Sequence, residues 1–187
     1  MIFMMTLPNF LTFFRIILVP FFVICYCCHW GSVHTRDITA TVIFTIAAVT
    51  DAFDGYFARI LNQSSRLGSF LDPVADKLLV VSALCVLLHL GRLPTWIVIV
   101  IIGREITVSA LREWMAIVGH SKSVTVCLLG KLKTVSQLSA IPLALANLKF
   151  AFFDTLLLGQ ILMFVAVVMT LISMIIYMCD AWPYLVK

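Results

Sequence analysis

Apolar residues fill six stretches of the chain, at approximately 9–30, 38–61, 72–90, 95–117, 124–148 and 155–179. Each is read as a helix by its length and hydropathy. The breaks between them are GSVHTRD (31–37), NQSSRLGSF (62–70), GRLP (91–94), GHSKS (119–123) and KFAFFD (149–154), all carrying turn or capping residues. Asp72-Pro73 reads as an N-cap followed by proline at the first helical position, so the third helix is expected to start there. No internal repeat or low-complexity tract interrupts the series. A helical span takes about 20 residues. The pattern therefore predicts an all-α integral membrane protein of six transmembrane helices, forming one domain over 1–187.

Composition agrees. Hydrophobic residues make up 63% of the 187 residues and charged residues 12%, where a soluble domain has about 25% charged. The net charge of +4 fits an anionic lipid surface or anionic substrates and argues against a nucleic-acid partner. The six cysteines lie in apolar segments without zinc-type spacing, and they read as small packing residues. The four histidines are scattered over ends and loops, and none is assigned as a ligand. The N-terminus has neither a basic n-region nor an A-x-A-like site, so the first segment is expected to be a retained span in a bacterial cytoplasmic membrane.

Lysine and arginine set the expected orientation. One side collects ten: Arg15, Arg59, Arg66, Lys77, Arg104, Arg112, Lys122, Lys131, Lys133 and Lys187. The other has Arg36, Arg92 and Lys149. Positive charge stays cytoplasmic, which puts both termini on that side. Two segments are interrupted by charge, the second at Asp51 and the fourth at Arg104-Glu105. A charge in hydrocarbon costs at least about 2.5–3.5 kcal/mol. Several together imply a polar cavity within the bundle. They lie toward the cytoplasmic helix ends, so the cavity is expected to open there.

Four of the nine acidic residues fall within TDAFDGYFARILNQSSRLGSFLDPVADK (50–77). Asp51 and Asp54 are three apart and share a helix face; Asp72 and Asp76 are four apart and share another. A short connection makes the two helices antiparallel neighbours, with both pairs at one depth. Carboxylates gathered there repel one another, and divalent cations relieve the repulsion. Oxygen ligands of this kind suit Mg²⁺ or Mn²⁺. Gly55, Ala58 and Gly68 leave room for close approach of a ligand, and Arg59 can pair with a carboxylate or phosphate. Capping and local ion pairing with Arg59 and Lys77 account for single members of the set, Asp72 above all. They do not account for the depth of Asp51.

These residues form D-x-x-D-G-x-x-A-R-x8-G-x3-D-x3-D, with Asp51, Asp54, Gly55, Ala58, Arg59, Gly68, Asp72 and Asp76 at the fixed places. In this the chain resembles the CDP-alcohol phosphotransferases. LPNFLTFFRIILVPF (7–21), GREITVSALREWMA (103–116) and GKLKTVSQ (130–137) resemble the bacterial branch that uses glycerol 3-phosphate as acceptor. The resemblance implies transfer of a phosphatidyl group from CDP-diacylglycerol to sn-glycerol 3-phosphate, giving phosphatidylglycerol phosphate and CMP. It implies two Mg²⁺ or Mn²⁺ ions on Asp51, Asp54, Asp72 and Asp76. It assigns CDP binding to Asp51, Asp54, Gly55, Ala58, Arg59, Gly68 and Asp72, makes Asp76 the base for the attacking hydroxyl, and implies a homodimer.

The acceptor's phosphate needs its own cations. Arg104 and Arg112, eight apart on the fourth helix, and Lys131 and Lys133 at the start of the fifth are the candidates. Arg104 is the strongest because nothing else explains its depth. Interfacial snorkelling is the alternative for the other three. Thr12 and Arg15 share a face of the first span, where Arg15 either faces the cavity or snorkels to the inner surface. The competing functions are a sister enzyme using inositol phosphate, serine or phosphatidylglycerol, a small cation transporter, and a non-catalytic scaffold.

Overall fold

The computed structural model describes the backbone of residues 7–28, 31–61, 66–118, 128–150 and 153–185, and side chains at 12–26, 28, 31–51, 71–118, 132–149 and 153–182. Six helices follow one another: α1 (Leu7–Cys27), α2 (Val33–Leu61), α3 (Arg66–His89), α4 (Thr95–Ile117), α5 (Leu128–Ala146) and α6 (Thr155–Leu185). Their order and number follow the apolar pattern. The connection before α6 adds an antiparallel pair of two-residue strands, β1 (Lys149–Phe150) and β2 (Phe153–Asp154), which the all-α reading did not include.

Two helix starts differ from expectation. α2 begins at Val33, inside the expected loop, because Ser32 Oγ accepts the Thr35 N–H at 3.2 Å in N-cap fashion. α3 begins at Arg66, so Asp72 and Pro73 lie within the helix and Asp72 is not its N-cap. Other boundaries are sharp for local reasons. Gly91, at φ +66°, ends α3: its N–H bonds Leu88 O and the Arg92 N–H bonds Leu87 O, the pairing of a Schellman motif. Asp154 Oδ1 accepts the N–H groups of Leu156 and Leu157 at 2.9 and 3.3 Å and caps α6.

α1 packs against both α2 and α3, α5 lies along α6 and against α2, and α4 rests on α6. The main core runs between them through Phe22, Phe44, Leu84, Leu87, Ile141 and Met163. A second cluster joins the C-terminal halves of α4 and α6 through Val108, Leu111, Met115, Tyr177 and Ala181. α5 and α6 approach so closely that a Cβ on Gly159 would lie 2.8 Å from the Ala144 backbone nitrogen. Large apolar side chains also point outward, among them Ile17, Ile99, Ile106, Phe164 and Ile175. That is the surface a helix bundle presents to lipid.

Among the described residues only α6 is long and apolar enough to cross a bilayer on its own, over Thr155–Trp182. Thr12–Tyr26 and Leu132–Ala146 are shorter apolar stretches. The six expected helices are present, and the charge-interrupted α2 and α4 are, as the sequence implied, not clean spans.

One such polar group ties the bundle together away from the acidic motif. The Schellman turn at Gly91 carries Arg92 inward. Its Nη2 donates to Asp37 Oδ2 at 2.5 Å, and its Nη1 donates to the carbonyls of Leu145 and Ala144 at 2.7 and 3.3 Å. Tyr26 Oη donates to the other Asp37 oxygen at 3.2 Å, and Gln160 Nε2 donates to the Arg92 carbonyl at 2.8 Å. α1, α2, α5, α6 and the α3–α4 turn thus meet at one buried ion pair. Asp37 and Asp51 are 14 residues apart on α2, which is ~21 Å along a helix, so this pin and the acidic motif occupy different ends of the bundle.

Candidate active site

Thr12 and Arg15 stand one turn apart on α1, each 1% exposed. Asp51 comes from α2, and Asp72 and Asp76 come from one face of α3. Arg15 Nη1 makes an ion pair with Asp51 Oδ1 at 2.8 Å and also donates to Asp76 Oδ1. Thr12 Oγ1 donates to Asp72 Oδ1 at 2.5 Å. One nitrogen therefore brings the carboxylates of α2 and α3 together. Of the two sequence readings of Arg15, the structure shows the inward one. Its guanidinium offsets the repulsion between Asp51 and Asp76, which at such short range is strong in a low dielectric.

Burial is asymmetric. The Arg15 side chain is 1% exposed, whereas those of Asp51 and Asp76 are 41% and 45% exposed. The cation is underneath and the carboxylates look outward, into a cavity of about 210 Å³. Asp51, Asp76 and Lys77 line one side of it, and Glu105, Lys133 and Gln137 line the other. The acidic motif of α2 and α3 and the polar residues of α4 and α5 thus share one space.

The acceptor cations are distributed differently from one another. Lys133 lines the cavity, with its Nζ 3.9 Å from Glu105 Oε2. Arg104 is 4% exposed and sits behind that wall, toward α6. Its Nη1 pairs with Glu105 Oε2 at 2.9 Å, and its Nη2 donates to Thr170 Oγ1 at 3.4 Å. Arg104 Nε is buried with no hydrogen-bond partner among the described residues. Arg112 is exposed and lies over the Tyr177 ring, its Cζ 5.3 Å from the centroid and its Nη2 3.3 Å from the hydroxyl. The side chains of Asp54, Gly55, Ala58, Arg59, Gly68 and Lys131 lie outside those described, although all six residues fall within α2, α3 or α5.

The sequence pattern marked Glu105 only as a charge interrupting the fourth segment and did not single out Gln137, Thr170 or Tyr177. The signal for α6 was present. Thr170, Ser173 and Tyr177 are polar at i, i+3 and i+7 in a mostly apolar helix, the spacing of a single face.

No group of three or more potential metal ligands is assembled among the described residues. The donor set of the motif is nonetheless of one kind, carboxylate oxygen, and three of its members already converge on cationic or hydroxyl donors from α1. That chemistry fits a hard divalent cation.

A helical bundle carrying a D-x-x-D…D-x-x-x-D motif, two of whose aspartates line one cavity, defines a CDP-alcohol phosphatidyltransferase. The model of that family matches residues 5–172, and the chain belongs to it. The family is membrane-embedded. Among curated proteins the chain is similar to the CDP-diacylglycerol–glycerol-3-phosphate 3-phosphatidyltransferases of three bacteria. It is 44% identical to that of Shigella flexneri serotype 5b over 181 residues, 94% of each chain. It is 44% identical to that of Escherichia coli K12 over 183 residues, again 94% of each. With that of Haemophilus influenzae the identity is 44% over 176 residues, 92% of this chain and 91% of the other.

Proposed function

We propose that the chain transfers a phosphatidyl group from CDP-diacylglycerol to sn-glycerol 3-phosphate, releasing CMP. The single observation that carries this reading is the 44% identity, over 94% of both chains, to enzymes named for that reaction. The cavity supports it, because the acidic motif and the cationic Lys133 line the same space.

In this reading Asp51, Asp54, Asp72 and Asp76 hold Mg²⁺ or Mn²⁺. When bound, such ions would supply positive charge to offset that of the CDP-lipid's pyrophosphate and of the departing CMP. The protein's part begins with α1. Thr12 fixes the rotamer of Asp72, and Arg15 fixes Asp51 and Asp76 from below, so that their outer oxygens face the cavity. Asp76 takes the proton from the attacking hydroxyl of the acceptor at its outward carboxylate oxygen. Gly55, Ala58, Arg59 and Gly68 flank the nucleotide. Lys133, with Lys131, Arg104 and Arg112 from the same quarter of the bundle, draws the acceptor's phosphate toward the side opposite the acids. Cations there favour a phosphorylated alcohol over serine.

The whole chain, 1–187, acts as one transmembrane domain, with six helices in the bilayer and both termini cytoplasmic. The active site then opens to the cytoplasm, where glycerol 3-phosphate is available. The resemblance to the family also implies a homodimer. A cation transporter would need a polar path leading away from the acids along α2. The threonines there are spent within the helix: Thr39, Thr41, Thr45 and Thr50 each donate to the carbonyl one turn earlier at 2.7–2.8 Å.

The test is release of CMP by purified protein given CDP-diacylglycerol, Mg²⁺ or Mn²⁺ and a panel of acceptors. Glycerol 3-phosphate is expected to be used fastest. Faster turnover with inositol phosphate, serine or phosphatidylglycerol would overturn the assignment.

A further inference from the structure

α6 is the most apolar helix of the chain, with a mean hydropathy of 2.6 over its spanning part. Yet it buries Thr170, Ser173 and Tyr177 at 0%, 1% and 3% exposure. A buried hydroxyl needs a hydrogen-bond partner, and the three find theirs in different places. Ser173 Oγ donates to the Thr170 carbonyl at 2.9 Å, within its own helix. Thr170 and Tyr177 turn instead to α4 and receive the guanidinium groups of Arg104 and Arg112. The two arginines are eight apart on α4 and their two acceptors seven apart on α6, so the helices run in register along this seam.

The contacts at Arg104 continue toward the cavity. Its other terminal nitrogen holds Glu105 Oε2, and the same oxygen faces Lys133 Nζ. Glu105 and Lys133 both line the cavity, whereas Thr170 and Arg104 do not. A hydroxyl on α6 thereby fixes the arginine that fixes the cavity wall. We propose that Thr170 and Tyr177 are positioning residues of the acceptor site: they hold Arg104 and Arg112, and through Arg104 and Glu105 they fix Lys133, the cation of the cavity wall that the acceptor's phosphate meets. This rests on the acceptor reading given above.

The test is steady-state kinetics of the full-length enzyme in lipid, with glycerol 3-phosphate and CDP-diacylglycerol varied separately. Thr170→Val keeps the shape and removes the hydroxyl. It is expected to raise KM for glycerol 3-phosphate about 3–10-fold, the scale of one ordinary net hydrogen bond, since this one is long at 3.4 Å. KM for CDP-diacylglycerol and kcat at saturating acceptor should stay at wild-type values. Thr170→Ser should restore the acceptor KM. Tyr177→Phe, which keeps the ring beneath Arg112, guards against a folding defect in the first variant. It should raise the same KM by a smaller factor. A merely structural role would lower kcat and thermal stability together, without selecting one substrate. If Arg104→Ala raises the acceptor KM and neither α6 variant does, the α6 assignment is wrong and the acceptor site stands. If Arg104→Ala itself leaves that KM unchanged, the acceptor reading of Arg104 falls, and this proposal with it.

Discussion

Arg15 is the residue on which the acidic cluster turns. A lone arginine in an apolar span reads equally as a snorkelling side chain or as a cavity residue. Only tertiary contact decides, because the partners lie 36 and 61 positions away on other helices. Thr12, one turn earlier, was legible in the same limited way. Arg15→Ala leaves Asp51 and Asp76 facing each other without their shared cation. It should lower turnover about 10²-fold, the scale of a small misplacement of reacting groups. Arg15→Lys should recover only part of that, since an ammonium lacks the planar fork. The acceptor assay on both variants checks this. Asp76→Asn removes the proposed base and should cost kcat about 10²–10⁴-fold, while binding of CDP-diacylglycerol, read by equilibrium titration, is largely kept.

The elements themselves were mostly readable, because hydropathy and helix periodicity report the same face. What the pattern missed are effects of distant packing and of local turn chemistry. α3 starts at Arg66, before Asp72, although Pro73 stands in its interior without an N–H for the bond one turn back. The strand pair at Lys149–Asp154 is too short for any periodicity to show. Asp37 and Arg92 read as loop charges, and nothing local says that they meet. Gly91 was the available clue, for a left-handed residue after a helix turns the following side chain back toward the bundle. Removing one member of that pair leaves the other charge buried. Asp37→Asn should therefore destabilise by about 3–5 kcal/mol, seen as earlier thermal inactivation in detergent, with kcat of the folded fraction unchanged. Gly159 was equally silent in the sequence. Gly159→Ala forces a methyl into the backbone of α5 and should cost about 1–3 kcal/mol, read in the same melting experiment.

Among the described residues two polar groupings lie at opposite ends of the bundle. A sealed ion pair fastens five segments at one, and an open cluster of carboxylates faces a cavity at the other. The composition alone announced a membrane protein, and the spacing of eight motif residues announced the family. The pairing of α1 with both acidic helices, and of α4 with α6, was not accessible without coordinates. On the proposed function, the carboxylates of α2 and α3 bind divalent metal where the CDP-lipid's pyrophosphate lies. Electron paramagnetic resonance of Mn²⁺ titrated into the protein in nanodiscs containing CDP-diacylglycerol tests it most directly. Wild-type protein should immobilise Mn²⁺, and Asp51→Asn and Asp72→Asn should each abolish or sharply weaken that signal. Undiminished Mn²⁺ binding in both variants would contradict the account.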